Sequence, residues 1–199
     1  MSLRAAFLTV LVLFFLGAGL LYLRLLTRRV ALDVPTYREE VARTRLTEAA
    51  LQSQADTTGV MTLYFPSHDR GQLVAEERSV PWARTETDRI RQVLLALIEG
   101  SHEGRSRGLP AGTTIRGVFQ TADGTTVLDL GGDPSTEFGP GISSESLAVY
   151  SVVNSLSANI PSVRRVVFLL HGQPVETLGG HVDLSQSFVP DPNRVAMAP

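Results

Sequence analysis

The chain has 199 residues, 43% hydrophobic and 19% charged, the balance of a globular protein long enough for one modest domain and an appendage. It has no Cys, which excludes disulfides, zinc–thiolate sites, a Cys nucleophile and a lipid-anchoring Cys. The net charge is −2 and every fixed positive charge is Arg; beyond residue 29, fourteen Arg face twenty acidic residues, and a body balanced at −6 argues against nucleic acid as the partner, because phosphate binding needs a basic stripe.

Chain order begins with MSLRAAFLTVLVLFFLGAGLLYLRLLTRR. Ala5 to Leu23 is an uncharged run of mainly Leu, Val, Phe and Ala, ended by Arg24, Arg28 and Arg29. At about 1.5 Å per residue it is long enough to cross a hydrocarbon core of ~30 Å. A cleaved signal peptide needs a shorter apolar core and a small-x-small site, and Gly17-Ala18-Gly19 is followed by more apolar residues. Residues 1–29 therefore read as an uncleaved signal anchor, with the lipid bilayer as partner through residues 5–23. Arg flanks both sides of the run, three after it and one before. The short N-terminal flank favours export of the body, so the expected localisation is a single-pass membrane protein with an extracytoplasmic body.

Residues 30–58 join anchor to body. Thr36-Tyr37-Arg38-Glu39 has capping-box spacing behind Pro35, and a helix over about Tyr37 to Gln54 follows. Its apolar residues form no wide stripe, which suits a solvated stalk; weak self-association is the alternative.

The body opens with VMTLYF, Val60 to Phe65, a strand with Met61, Leu63 and Phe65 on one face. A turn at His68 to Gln72 and a second strand, Leu73 to Val80, complete a hairpin. Thr85 caps a helix whose Ile90, Val93, Leu94, Leu97 and Ile98 share a face, and Gly100 ends it. Thr113 to Thr121 and Thr125 to Leu130 form another hairpin around Asp123-Gly124. A Gly- and Pro-rich loop runs from Gly131 to Ile142. Ser143 or Ser144 then caps a second helix carrying Leu147, Tyr150, Val153, Leu156 and Ile160, stopped by Pro161. Val166 to Leu170, VVFLL, suits a central strand covered on both faces. The order β-β-α-β-β-α-β predicts an α+β fold, a mixed sheet with two packed helices. The body is expected to span residues 59–189, with 190–199 a flexible tail.

VMTLYF with Asp69, LVAEERSV, LLALIEG, GLPAGTTIRGV, GTTVLDL, YSVVNSLSANIPSVRRVVFLLHGQPV and GGHVDLSQSF occur in the order found in the GerMN domain, the sporulation and spore germination domain of exported bacterial proteins. From about Gly59 to Val189 the chain resembles that family. It departs from the pattern in a shorter segment before Pro110 and in Ser155, where Thr is common. The resemblance implies an envelope-facing interaction module without a known catalytic residue. GerMN domains are also similar to ring-building modules of envelope secretion assemblies, which implies self-association or contacts with envelope proteins.

Candidate chemistry is sparse. His181 and Asp183 in LGGHVDLSQSF would share a face in a strand, as two metal ligands do. A metal needs three or four ligands, and His171 is the only other nearby His. The structural alternative is a short closing strand, with Gly179-Gly180 making the turn and Asp183 bound to backbone or Arg. Ser101-His102 reads as solvated, and His68-Asp69 as turn chemistry. Gly139 to Ser144 enters a helix but matches neither a dinucleotide fingerprint nor a P-loop. Trp82 beside Arg84 is either a surface recognition spot or a hydrophobic plug. The sequence predicts no catalytic residue, metal or cofactor, and leaves Trp82, Arg84, His181 and Asp183 as candidate recognition residues. A non-catalytic assembly module is the leading expectation. A binder of wall glycan or peptide is second, and a hydrolase or metal enzyme third.

Overall fold

The computed structural model describes residues 57–67, 69, 71–132, 142–177 and 181–196. All belong to one compact unit, Arg43–Pro199. The expected anchor and stalk lie outside the described residues, except the stalk's last two.

Strands β1 (Thr57–Pro66) and β2 (Leu73–Trp82) form an antiparallel hairpin, which stands as its own two-stranded sheet. Helix α1 (Glu86–Glu99) follows. Thr85 caps it by accepting from the Asp88 N–H at 3.1 Å, and Gly100 ends it at φ 99°, a conformation that suits glycine. Strands β3 (Thr114–Gln120) and β4 (Thr125–Gly131) make the second hairpin, with a register shift between Ile115 and Gly117. Its turn needs Gly124: at φ 85° a Cβ there would stand 2.6 Å from the Ser162 carbonyl oxygen. Asp123 closes the same turn; hydrogen bonds from the Thr121 hydroxyl and from Thr125 hold its carboxyl down at about 2.

Helix α2 (Ile142–Asn159) leads to β5 (Arg165–Leu170), which runs parallel to β4. The tight turn His171-Gly172, with φ 54° and 77°, returns the chain to the two-residue β6 (Gln173–Pro174). The second sheet is therefore mixed, in the order β3-β4-β5-β6.

The core is one cluster. It takes Met61, Leu63 and Phe65 from β1, Ile90, Val93, Leu94 and Leu97 from α1, and Val152, Val153 and Leu156 from α2. Leu128, Val166 and Phe168 supply the inner face of the second sheet. Leu184 and Phe188 close it, and Phe188 meets the rings of Phe168 and Tyr150 edge-on at 5.9 and 6.0 Å.

Four expectations need correction. The first hairpin does not join the mixed sheet, because α2 covers its β1 edge. Strand β5 is not buried on both faces: Val166 and Phe168 are buried, whereas Val167 and Leu169 are half-exposed. Helix α2 begins at Ile142, so Ser143 and Ser144 lie in its first turn rather than at its cap. Residues 190–196 are not a loose tail. A short 3-10 turn at Pro192–Arg194 is capped by Asp191, and the Ala196 N–H donates to the Leu73 carbonyl at 2.8 Å. The Arg194 guanidinium lies 4.1 Å from the centre of the Tyr150 ring and bonds Ser146 at 2.8 Å.

Candidate functional site

The edge of β1 that faces away from β2 is satisfied by side chains of α2. Ser151, Ser155 and Asn159 recur every four residues and so line one stripe of the helix. The Ser151 hydroxyl donates to the Tyr64 carbonyl, and the Tyr64 N–H donates to Ser155 Oγ at 2.9 Å. Asn159 Oδ1 accepts from the Thr62 N–H at 2.9 Å while its Nδ2 donates to the Thr62 carbonyl at 2.6 Å. One turn away, Asn154 pairs with Asp191 in the same two-pronged manner, at 2.9 and 3.0 Å. Ser151, Ser155 and Asn159 thus stand in for a missing strand neighbour of β1, while buried Asn154 holds the C-terminal segment at Asp191.

The LGGHVDLSQSF stretch is built on a carboxylate that sequence reasoning missed. Glu145, in the first turn of α2, is 1% exposed. Its Oε2 accepts from the N–H groups of His181 and Val182, at 2.8 and 3.2 Å, and lies 3.5 Å from His181 Nδ1. Asp183 turns elsewhere and accepts the Ser185 hydroxyl and N–H at 2.6 and 2.9 Å. Those two bonds, the hydroxyl's first, hold its carboxyl below the usual carboxylate range. Leu184 donates to the Glu176 carbonyl, and Phe188 exchanges two 2.8 Å bonds with Val166. His181 and Asp183 do not converge on a common point, and the expected closing strand reduces to one bridge at Phe188. His171 bonds the Gly132 carbonyl at 3.0 Å. Among the described residues no three acidic or His side chains are grouped as metal ligands.

A second buried carboxylate also escaped the sequence. Glu76 on β2 is 3% exposed and faces inward opposite Leu63. Arg78 bonds it at 2.6 and 2.9 Å, the His102 N–H at 3.1 Å, Arg105 at 3.3 Å, and the Ser101 hydroxyl completes the set. Burial alone would raise its pKa, but the bonds from Ser101, Arg78 and His102, with the Arg78 charge, bring it down to about 2. Ser101 is therefore not a solvated loop residue; it fastens its loop under the hairpin. Neither alternate set in LVAEERSV is apolar throughout, so its alternation marked neither the inward position of Glu76 nor its partners.

Trp82 ends β2 half-buried against the core, with the Arg89 guanidinium 6.0 Å from its ring centre. Gly59 makes room for it, since a Cβ there would stand 2.7 Å from the indole. Arg84 is exposed in the link to α1. Among the described residues, Val60, Phe119 and Val189 are the large apolar side chains left open, at 59, 62 and 57% exposure. Phe119 pairs with Val127 and Val127 with Val167, so the three form a row across the outer face of the second sheet. An open groove of about 490 Å³ lies between α2 and the C-terminal segment, lined by Tyr64, Asn154, Ser157, Pro190, Pro192 and Val195.

The family model described as "Sporulation and spore germination", Germane, matches residues 62–176, more than half of the chain and nearly all of both sheets and both helices. The chain belongs to the Germane family. Two solved structures of the sporulation protein GerM from Bacillus subtilis share the fold. The first GerMN domain of that protein matches at TM-score 0.51 and 21% identity, over 66% of this chain and 98% of that one. Its tandem GerMN domains match at TM-score 0.52 and 22% identity, over 67% of this chain and 46% of that one. No curated protein matches the chain. The Germane model ends at Pro174-Val175-Glu176, before the Glu145 clamp on His181, so the closing stretch from His181 to Phe188 lies beyond the matched residues.

Proposed function

We propose that this Germane-family chain is a non-catalytic protein-interaction module, held at the cell envelope by its N-terminal apolar segment and assembling with envelope proteins or with itself. The observation that carries this reading is the apolar row Phe119–Val127–Val167 on the outer face of the second sheet, headed by a Phe that is 62% exposed. Exposed aromatic side chains joined to an apolar strip are enriched at interfaces. The buried carboxylates Glu76 and Glu145 support the same reading, because their bonds hold loops to the scaffold rather than converge on an open cleft. Anchoring in the bilayer through residues 5–23, with the body outside the cytoplasm, rests on the sequence of that segment. Nucleic acid is not a partner in this reading, and no cofactor is required.

Crosslinking and affinity capture of tagged full-length protein from native membranes tests the proposal. A stoichiometric partner, or self-crosslinks, lost on Phe119→Ser and kept in the His181→Ala/Asp183→Ala double variant is the expected outcome. Capture of nothing by the native protein overturns it.

The groove beside Tyr64 favours a second reading, the binding of a wall glycan or peptide. Its lining mixes Pro and Val with Asn154 and Ser157. Retention of the protein on purified cell wall, lost on Tyr64→Ala, would carry that alternative.

A further inference from the structure

We propose that the outer edge of β2, from Ala75 to Ser79, is a docking site for an extended strand of a partner protein that sets a Lys or Arg opposite Glu77. The proposal rests on the interaction-module reading and assigns its surface and partner chemistry.

The register fixes which backbone groups face outward. Tyr64 and Thr62 on β1 turn their N–H and carbonyl groups away from β2, to Ser155, Ser151 and Asn159. Their cross-strand partners are Ala75 and Glu77. In an antiparallel ladder both members of such a non-bonded pair point out, so Ala75, Glu77 and, two residues on, Ser79 present their N–H and carbonyl groups to the far edge. All three residues are exposed.

Among the described residues the window is bounded at both ends by its own protein. The edge is occupied at Leu73, where Val195 bridges in parallel and the Ala196 N–H donates to the Leu73 carbonyl at 2.8 Å. The chain thus already adds one strand residue to this edge. At the other end Pro81 has no N–H to offer, and its carbonyl accepts from Gln92 Nε2 at 2.9 Å. Between them lies room for about 17 Å of strand.

Charge selects the occupant. A two-fold pairing of β2 with a second copy, centred in this window, sets Glu77 against Glu77, and like charges directly opposite disfavour pairing. A strand with a cation at that position gains instead. Pro81 and Glu77 are also devices that keep edges from indiscriminate pairing, so the edge admits a matched strand and rejects unmatched ones. Side chains at alternate positions and main-chain hydrogen bonds would together give specificity and affinity.

The test places a photoreactive residue at Ala75 in the full-length protein and crosslinks in native membranes, with the attachment site read by mass spectrometry. Ser79→Pro removes one outward N–H and no bond of the β1–β2 ladder, so the hairpin stays folded; unchanged thermal unfolding checks this. Capture of one extended peptide with Lys or Arg facing Glu77, reduced at least about tenfold by Ser79→Pro and by Glu77→Lys, is the expected result. Restoration in Glu77→Lys when the partner's cation is exchanged for Glu completes it. Capture indifferent to both substitutions, attachment within β2 of a second copy, or no capture overturns the proposal. A parallel photoreactive residue at Phe119 separates the two readings. A partner caught there but not from Ala75 sinks the edge site and leaves the module standing; capture from neither sinks both.

Discussion

Asn159 holds both backbone groups of Thr62, accepting from its N–H at 2.9 Å and donating to its carbonyl at 2.6 Å. The two residues are 97 apart in sequence, and the contact stands where a third strand of the hairpin sheet would. Asn159→Ala should cost about 2–4 kcal/mol, because two partly buried backbone groups lose their partners together. Ser155→Ala should cost less, about 1–2 kcal/mol, since it strands only the Tyr64 N–H. Urea unfolding midpoints at constant slope check both. A loss in the Asn159 variant no larger than in the Ser155 variant would contradict the two-pronged pairing.

Glu76 should make stability depend on acid. Its folded pKa, about 2, lies below the ordinary glutamate value of 4.5. The folded state therefore binds the proton less readily than the unfolded chain. The contribution is fully present above about pH 4.5 and fades as pH falls toward 2, with a full size on the order of 3 kcal/mol. Glu76→Gln should be less stable at neutral pH and flatter than the parent between these limits. Subtracting the two pH profiles removes the exposed carboxylates from the comparison. Parallel profiles would show that Ser101, Arg78 and His102 do not hold the carboxylate as described.

Trp82 is the sole Trp of the chain, which makes the hairpin's fit measurable by fluorescence. Gly59→Ala puts a methyl group 2.7 Å from the indole, well inside contact distance. The ring must move off the core, at about 1–3 kcal/mol. A red-shifted emission with reduced stability is the expected outcome. Unchanged emission would mean that Trp82 does not pack across Gly59.

What the sequence made legible was local. The i, i+3, i+4, i+7 spacing of Ile90, Val93, Leu94 and Leu97 marked the buried face of α1, and Asp123-Gly124 marked a hairpin turn. VVFLL did not reveal its faces, since a short apolar run reads alike whether one side or both are covered. The polar residues of α2 were harder still. Periodicity identifies apolar positions, whereas buried Ser151 and Ser155 and partly buried Asn159 are held by partners 87 to 97 residues away. Glu76 and Glu145 follow the same rule, with backbone partners 26 and 36 residues on. A buried charge is explained by what the fold brings to it, and that is long-range information.

Glu145 gives the sharpest test of how the chain closes. Its carboxylate takes two successive N–H groups, from His181 and Val182, while it is 1% exposed. Glu145→Ala strands both donors and should cost about 2–4 kcal/mol. It should also free the segment that carries Leu184 and Phe188 into the core, so amide exchange should rise from residue 181 to 188 before the sheets unfold. His181→Ala leaves both backbone bonds intact and removes only a side chain that is 41% exposed. Its cost should stay under about 1 kcal/mol. Hydrogen exchange on the two variants separates the roles. Rapid exchange over 181–188 in the Glu145 variant alone makes the motif a backbone clamp. Equal release in both would move the anchor to the imidazole, and the His181 side chain would then hold the end of the fold.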